Sequence, residues 1–328
     1  TVLSTVLASA PALAQRAVTA AVAMPDTHAA NTAEHVLRAG GNAVDAAVAA
    51  AFSLAVTYPE AGNIGGGGFA TVWFDGEANF LDFREVAPAA AEGDMYLDER
   101  GEFLSRQALV GARASGVPGT VYGLQQLHER YGELPWTTLL QPAIELARDG
   151  FVVPEALAAL RDETSVFLNG ETNFDAHFSA LQTGHMFKQP ALAATLERIA
   201  GDPADFYTGQ TAGLLLAQMQ RNGGLITAAD LRTYRSQWRK PLIRPWRDLS
   251  IIAPPPPSSG GIALLQLLAM RDLRGELFAG AGHNSARYVH LLAELEKRVF
   301  AERAEYLGDP DSVDVPTGEL LLNEMWVE

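Results

Sequence analysis

From Ala43 to Val56 the chain is almost entirely Ala, Val, Leu and Phe, with Asn42 placed to cap it as a helix and Pro59 to end it. A helix that is apolar on nearly every face must be buried on nearly every face. That demands a body large enough to surround it. At 328 residues the chain suffices as one large domain or two average ones. An earlier helical pattern begins at Asn31-Thr32 and stops at Gly40-Gly41.

Next comes a glycine run, Gly65 to Gly68, and two β-rich segments, Phe69 to Phe74 and Ala78 to Phe83, around Asp75-Gly76-Glu77. Two such segments around an Asp-Gly turn predict a hairpin. Arg84 stands immediately beyond the second strand. From Gly116 onward the pattern is mostly helical: Thr120 to Tyr131, Thr137 to Arg148, Pro190 to Ile199, Thr211 to Arg221, Ile262 to Met270 and about Ser285 to Tyr306. Thr227 to Asp230 resembles a capping box with Asp in place of Glu. Ser250 to Ala253 is a third strand candidate, stopped by Pro254 to Pro257. Helices packed on a sheet are expected, yet three strands are fewer than a sheet usually has. The shortage points to another polypeptide supplying the rest.

With 24 Lys+Arg against 39 Asp+Glu, the net charge of −15 argues against a nucleic-acid partner. Cysteine is absent, which excludes disulfides, thiolate nucleophiles and Cys-ligated zinc. Val2 to Ala10 is a short apolar run followed by Ala12-Leu13-Ala14, a small-x-small site. Residues 1–15 therefore read as the remnant of a secretory signal, which places the protein in the periplasm or outside the cell. No later stretch is long and apolar enough to span a membrane.

Several sites of chemistry suggest themselves. The glycine run lacks the Lys and Ser/Thr of a phosphate loop, and its order of helix, turn and strand is the reverse of a dinucleotide fingerprint. It marks a close backbone approach, to packed chain or to a ligand. The seven histidines are scattered without a zinc pattern. Ser258-Ser259, after the prolines and before a helix, either cap that helix or present N–H groups to an anion. Thr1 has the chemistry of an N-terminal nucleophile but sits in the signal remnant. Arg84 either forks two N–H bonds to a substrate carboxylate or forms a salt bridge with Asp82 or Glu85.

Eight segments in order resemble signatures of the gamma-glutamyltransferases. They are GGNAVDAAVA (Gly40 to Ala49), NIGGGGF (Asn63 to Phe69), LDFRE (Leu81 to Glu85), GVPGTV (Gly116 to Val121), PAIELA (Pro142 to Ala147), NGGLITAADL (Asn222 to Leu231), PPSSGG (Pro256 to Gly261) and EYLGDP (Glu305 to Pro310). The closing Glu319 to Glu328 matches no signature.

The resemblance implies an α+β fold, the αββα sandwich of N-terminal-nucleophile hydrolases. This chain would give most helices and part of the two sheets, with residues 16–328 the large-subunit part of a single domain completed by a small subunit. It implies a precursor that cuts itself, so that a heterodimer forms with the nucleophilic Thr at the new N-terminus of the small chain. No catalytic residue is then expected in this chain. The one substrate-binding residue carried over is Arg84, in LDFRE, which would hold the α-carboxylate of the γ-glutamyl group. The implied reaction is hydrolysis or transfer of the γ-glutamyl group of glutathione, with no metal or organic cofactor. The alternatives are a cephalosporin- or glutaryl-type acylase on the same scaffold and a non-catalytic homologue.

Overall fold

The structure, a computed structural model, describes residues 20–318. Residues 1–15, read above as a signal remnant with Thr1 among them, and the closing residues 319–328 lie outside the described residues.

The apolar helix runs Ala43–Thr57, and Val48, Ala49, Ala50, Phe52 and Val56 are wholly buried in it. Asn42 caps it as expected, accepting the N–H groups of Val44 and Asp45 at 2.9 and 3.0 Å. Its flanks are covered by helices Thr27–Arg38, Thr120–Tyr131 and Trp136–Asp149. The first of these starts earlier than Asn31. Asp26 caps it by accepting the Ala29 N–H at 2.7 Å, and the Thr57 hydroxyl donates to the same carboxylate, tying the two helices together.

Seven strands are formed among the described residues: β1 Phe69–Phe74, β2 Glu77–Asp82, β3 Phe151–Val152, β4 Met186–Phe187, β5 Gln237–Arg239, β6 Leu242–Trp246 and β7 Leu249–Ala253. β1 and β2 are the expected hairpin, with Phe69 opposite Asp82, and Asp75 and Gly76 both take the positive φ of a type I′ turn. β5 adds to β2 antiparallel, giving the order β1-β2-β5, while β3-β4 and β6-β7 are two-stranded ribbons. The expectation of about three strands thus undercounts. β3, β4 and β5 are two or three residues long, too short to show alternation. β6 carries Pro245, which argues against a central strand and is tolerated here because each strand of a two-stranded ribbon is an edge. The shortage persists at the level of the sheet. β1 remains an edge strand, and Phe69 and Trp73 on it are exposed.

The main core joins the first four long helices, β2 and the helices out to Tyr234. A smaller core of Met270, Phe278, Leu295 and Val299 lies between helices Gly260–Leu273 and Ala286–Tyr306.

Candidate active-site cleft

β2 ends at Asp82, and the next two residues go opposite ways. Phe83 turns into the core, 7% exposed, while Arg84 faces solvent. The ladder continues past the strand. Phe83 N–H donates to Gly68 C=O at 3.0 Å, and Gly68 N–H returns a bond to Phe83 C=O at 3.3 Å. Two residues past Arg84, Val86 and Val117 exchange bonds at 2.8 and 3.3 Å. Arg84 is therefore presented from a stretch of backbone held at both ends.

The glycine run does structural work here. A Cβ on Gly67 would lie 2.6 Å from the Glu85 nitrogen and the Phe83 carbonyl oxygen, distances no side chain tolerates. Asn63 accepts the Gly66 N–H at 2.8 Å and the Thr120 hydroxyl at 2.5 Å, and Gly66 C=O accepts the Gly119 N–H at 2.7 Å. The close approach inferred from the glycines is thus to packed chain. It locks the exit of β2 to the start of helix Thr120–Tyr131.

Arg84 opens onto a cleft of about 750 Å³. Asp82, Glu85, Tyr234, Arg239, Ser259, Arg303 and Asp311 also line it. Neither Asp82 nor Glu85 forms the salt bridge with Arg84 that sequence spacing left open. Asp82 Oδ1 accepts the Arg84 backbone N–H at 3.1 Å, and Oδ2 accepts Arg239 Nε at 2.9 Å. The Arg84 guanidinium makes no hydrogen bond or ion pair with any described residue. A guanidinium in a cleft with the neighbouring carboxylate already committed is a ready donor site for a ligand carboxylate.

Arg239 instead serves as a brace. Beyond Asp82 it forks onto both oxygens of Asp311, at 3.1 and 2.7 Å, fastening the segment after helix Ala286–Tyr306 to the cleft wall. Hydrogen bonding from Arg239 holds the Asp311 carboxyl below its usual range despite partial burial. A carboxyl depressed in the folded state adds stability above its unfolded pKa and loses it as pH falls through the folded one. The stability gap between the native protein and Asp311→Asn is therefore expected to shrink as pH falls below about 4. Urea midpoints of the two proteins between pH 7 and pH 3 measure it.

Ser258 and Ser259 do not cap by the expected route. Ser259 stands at the N-cap of helix Gly260–Leu273 without a side-chain bond to it, and its hydroxyl accepts Arg303 Nε at 3.0 Å. Ser258 Oγ accepts the Gly260 N–H at 3.3 Å. Of the histidines, His128 bonds the Leu134 carbonyl at 2.7 Å, while His28 and His283 pack on Phe151 and Tyr288.

A family model described as Gamma-glutamyltranspeptidase matches residues 29–328. The chain belongs to the gamma-glutamyltranspeptidase family. The match runs past Pro310 to Glu328, so the closing segment that the motifs left unplaced lies within the family's span. The chain is similar to the glutathione hydrolase proenzymes of Pseudomonas aeruginosa and Escherichia coli, at 56% and 44% identity over 92% and 90% of its length. These alignments cover 54% and 52% of the two relatives, so the chain spans about half the length of the curated proteins it matches. It also superposes on a gamma-glutamyltranspeptidase from Pseudomonas nitroreducens complexed with L-DON. The TM-score is 0.92 and the identity 53%, covering 94% of this chain and 92% of that one. The α+β architecture is thus that of the N-terminal-nucleophile hydrolases, as the motifs implied.

Sequence patterning does not single out Tyr234, Arg239 or Asp311. Tyr234 follows the Thr227–Asp230 capping box, which forms as expected, but nothing in that box signals what the tyrosine reaches. The pairing of Arg239 with Asp82 follows from the β2–β5 register, and Asp311 lies 72 residues from it.

Proposed function

We propose that this chain is the large subunit of a gamma-glutamyltransferase/glutathione hydrolase. It would act only with a small chain cut from the same precursor, the two together completing one αββα domain. The substrate is glutathione or a related γ-glutamyl amide, and Arg84 holds the α-carboxylate of its glutamyl group. The observation that carries this reading is the Arg84 guanidinium at the exit of β2, without a partner among the described residues, in a cleft where Asp82 is already paired with Arg239.

The chemistry follows from an N-terminal threonine. Its hydroxyl oxygen attacks the γ-amide carbon while its own α-amine takes the proton. Backbone N–H groups stabilise the oxyanion. Collapse breaks the C–N bond, the leaving amine takes the proton from the α-amine, and a γ-glutamyl ester remains. Water or the amine of an amino acid attacks that ester and restores the hydroxyl. Arg84 contributes position, holding the far end of the acyl group so that its amide carbon meets the nucleophile.

The open edge supports a partner chain. β1 is six residues long and displays Phe69 and Trp73, a combination that proteins cover or pair. Placement in the periplasm or outside the cell rests on the apolar run Val2 to Ala10 and the site after it. No helix among the described residues is long and apolar enough to cross a membrane.

The test uses the full-length precursor. Mass spectrometry of the purified protein is expected to find two chains, the smaller beginning with Thr. The mixture is expected to release nitroaniline from L-γ-glutamyl-p-nitroanilide. A single uncut chain without that activity would indicate a non-catalytic homologue.

A further inference from the structure

We propose that Tyr234 is a positioning residue that aims Arg84 into the cleft, an inference that rests on the reading of Arg84 as the carboxylate clamp. Arg84 leaves the sheet with its backbone fixed on both sides. Its N–H donates to Asp82 Oδ1 at 3.1 Å, and its C=O accepts the Tyr234 hydroxyl at 2.9 Å. The first bond comes from two residues away in sequence. The second crosses 150 residues and sets where the Arg84 peptide plane lies against the body of the protein.

The tyrosine is built to hold its place. It is 3% exposed, its ring stacked on Tyr207 at 6.0 Å with the planes 9° apart, and edge-on to Tyr122 at 5.9 Å. Tyr207 is anchored in turn, donating to Pro118 C=O at 3.0 Å and accepting the Tyr122 N–H at 3.1 Å. Gly119 makes the approach possible. A Cβ there would fall 2.0 Å from the Tyr234 hydroxyl oxygen and 2.1 Å from the Phe83 carbonyl oxygen. Burial pushes the Tyr234 hydroxyl well above the ordinary phenol range, so it remains a donor at every working pH. A buried hydroxyl held by two aromatic neighbours, and spent on the backbone of an arginine whose guanidinium has no partner among the described residues, has the geometry of an alignment device.

The experiment is a double-mutant cycle on the mature two-chain enzyme, with L-γ-glutamyl-p-nitroanilide as substrate. Tyr234→Phe keeps the ring and removes the bond. It is expected to raise KM about 3- to 10-fold and leave kcat within about twofold, the pattern of a lost interaction shared by ground and transition states. In the Arg84→Ala background the same substitution is expected to change KM less than about twofold, because there is no guanidinium left to aim. An equal effect in both backgrounds overturns the proposal and leaves the clamp standing. An unchanged KM for Tyr234→Phe alone overturns it too, as does a variant that no longer folds or matures, since the hydroxyl would then serve stability. If Arg84→Ala itself leaves KM unchanged, the clamp fails and the positioning role falls with it. That outcome is separable from the others because it is read in the single Arg84 variant.

Discussion

Arg84→Ala, in the processed enzyme, is expected to lower kcat/KM for a γ-glutamyl anilide by roughly 30- to 5,000-fold, corresponding to about 2–5 kcal/mol. The figure is that for removing one partner of a hydrogen-bonded charge pair shielded from water, the condition that a substrate filling the cleft and a second chain over the sheet edge would create. Most of the loss should appear in KM, since the α-carboxylate is bound before and during the reaction. Part should appear in kcat, because an acyl group no longer held at its far end spends less time with its amide carbon against the nucleophile. Arg84→Lys restores the charge without the planar fork and is expected to recover only a minor part. Steady-state kinetics on the two variants decide the matter, and kinetics equal to the native enzyme's would remove Arg84 from the site.

Arg84 is legible in the sequence through the combination of a hairpin and a family motif. Strand periodicity and the Asp75-Gly76 turn are enough to put it at a sheet exit, and both strands and the turn form there. Chain-local chemistry does not choose between a ligand carboxylate and a salt bridge to Asp82. The salt bridge to Asp82 is removed by Arg239, 157 residues away, which occupies that carboxylate across the β2–β5 register. The same limit hides Tyr234. Local patterning finds residues that contact neighbours three or four positions away, as in the caps at Asn42 and Thr227, both of which form. It is blind to pairs joined only by the fold. The glycine run lies between these cases. Its composition announces a close approach, but the object approached, the Phe83–Glu85 backbone, is defined only by the packing of the strand against the helix after Gly119.

The largest expected loss of stability falls at Asp45, which does not line the cleft. This carboxylate is wholly buried, and no cation pairs with it among the described residues. It is held by N–H groups alone. Oδ2 accepts Asn42 N–H at 3.0 Å, closing the capping box, and the two oxygens accept Glu133 N–H at 3.1 and 3.2 Å. Leu134 N–H lies within 3.4 Å of Oδ2. Asn42 completes the junction by donating from Nδ2 to Tyr131 C=O at 2.6 Å. One acid thus joins the start of the central helix to the loop between helices Thr120–Tyr131 and Trp136–Asp149, which cover it. Asp45→Ala leaves several partly buried N–H groups without an acceptor and removes charge-assisted bonds worth about 1.5–3 kcal/mol each. Because such terms are not additive, a total of about 3–5 kcal/mol is expected, a large share of a typical 5–15 kcal/mol. Asp45→Asn keeps one acceptor oxygen but turns an NH₂ toward N–H groups, so it should fall between Ala and the native residue. Urea midpoints for the three proteins give the order, and a loss below about 1 kcal/mol for Asp45→Ala would show that water or a local shift replaces the carboxylate. The molecules that remain folded should keep the native KM, since none of these bonds reaches Arg84 or the cleft. In that respect Asp45 is the opposite of Arg84, whose loss should leave the melting behaviour nearly unchanged while the activity falls.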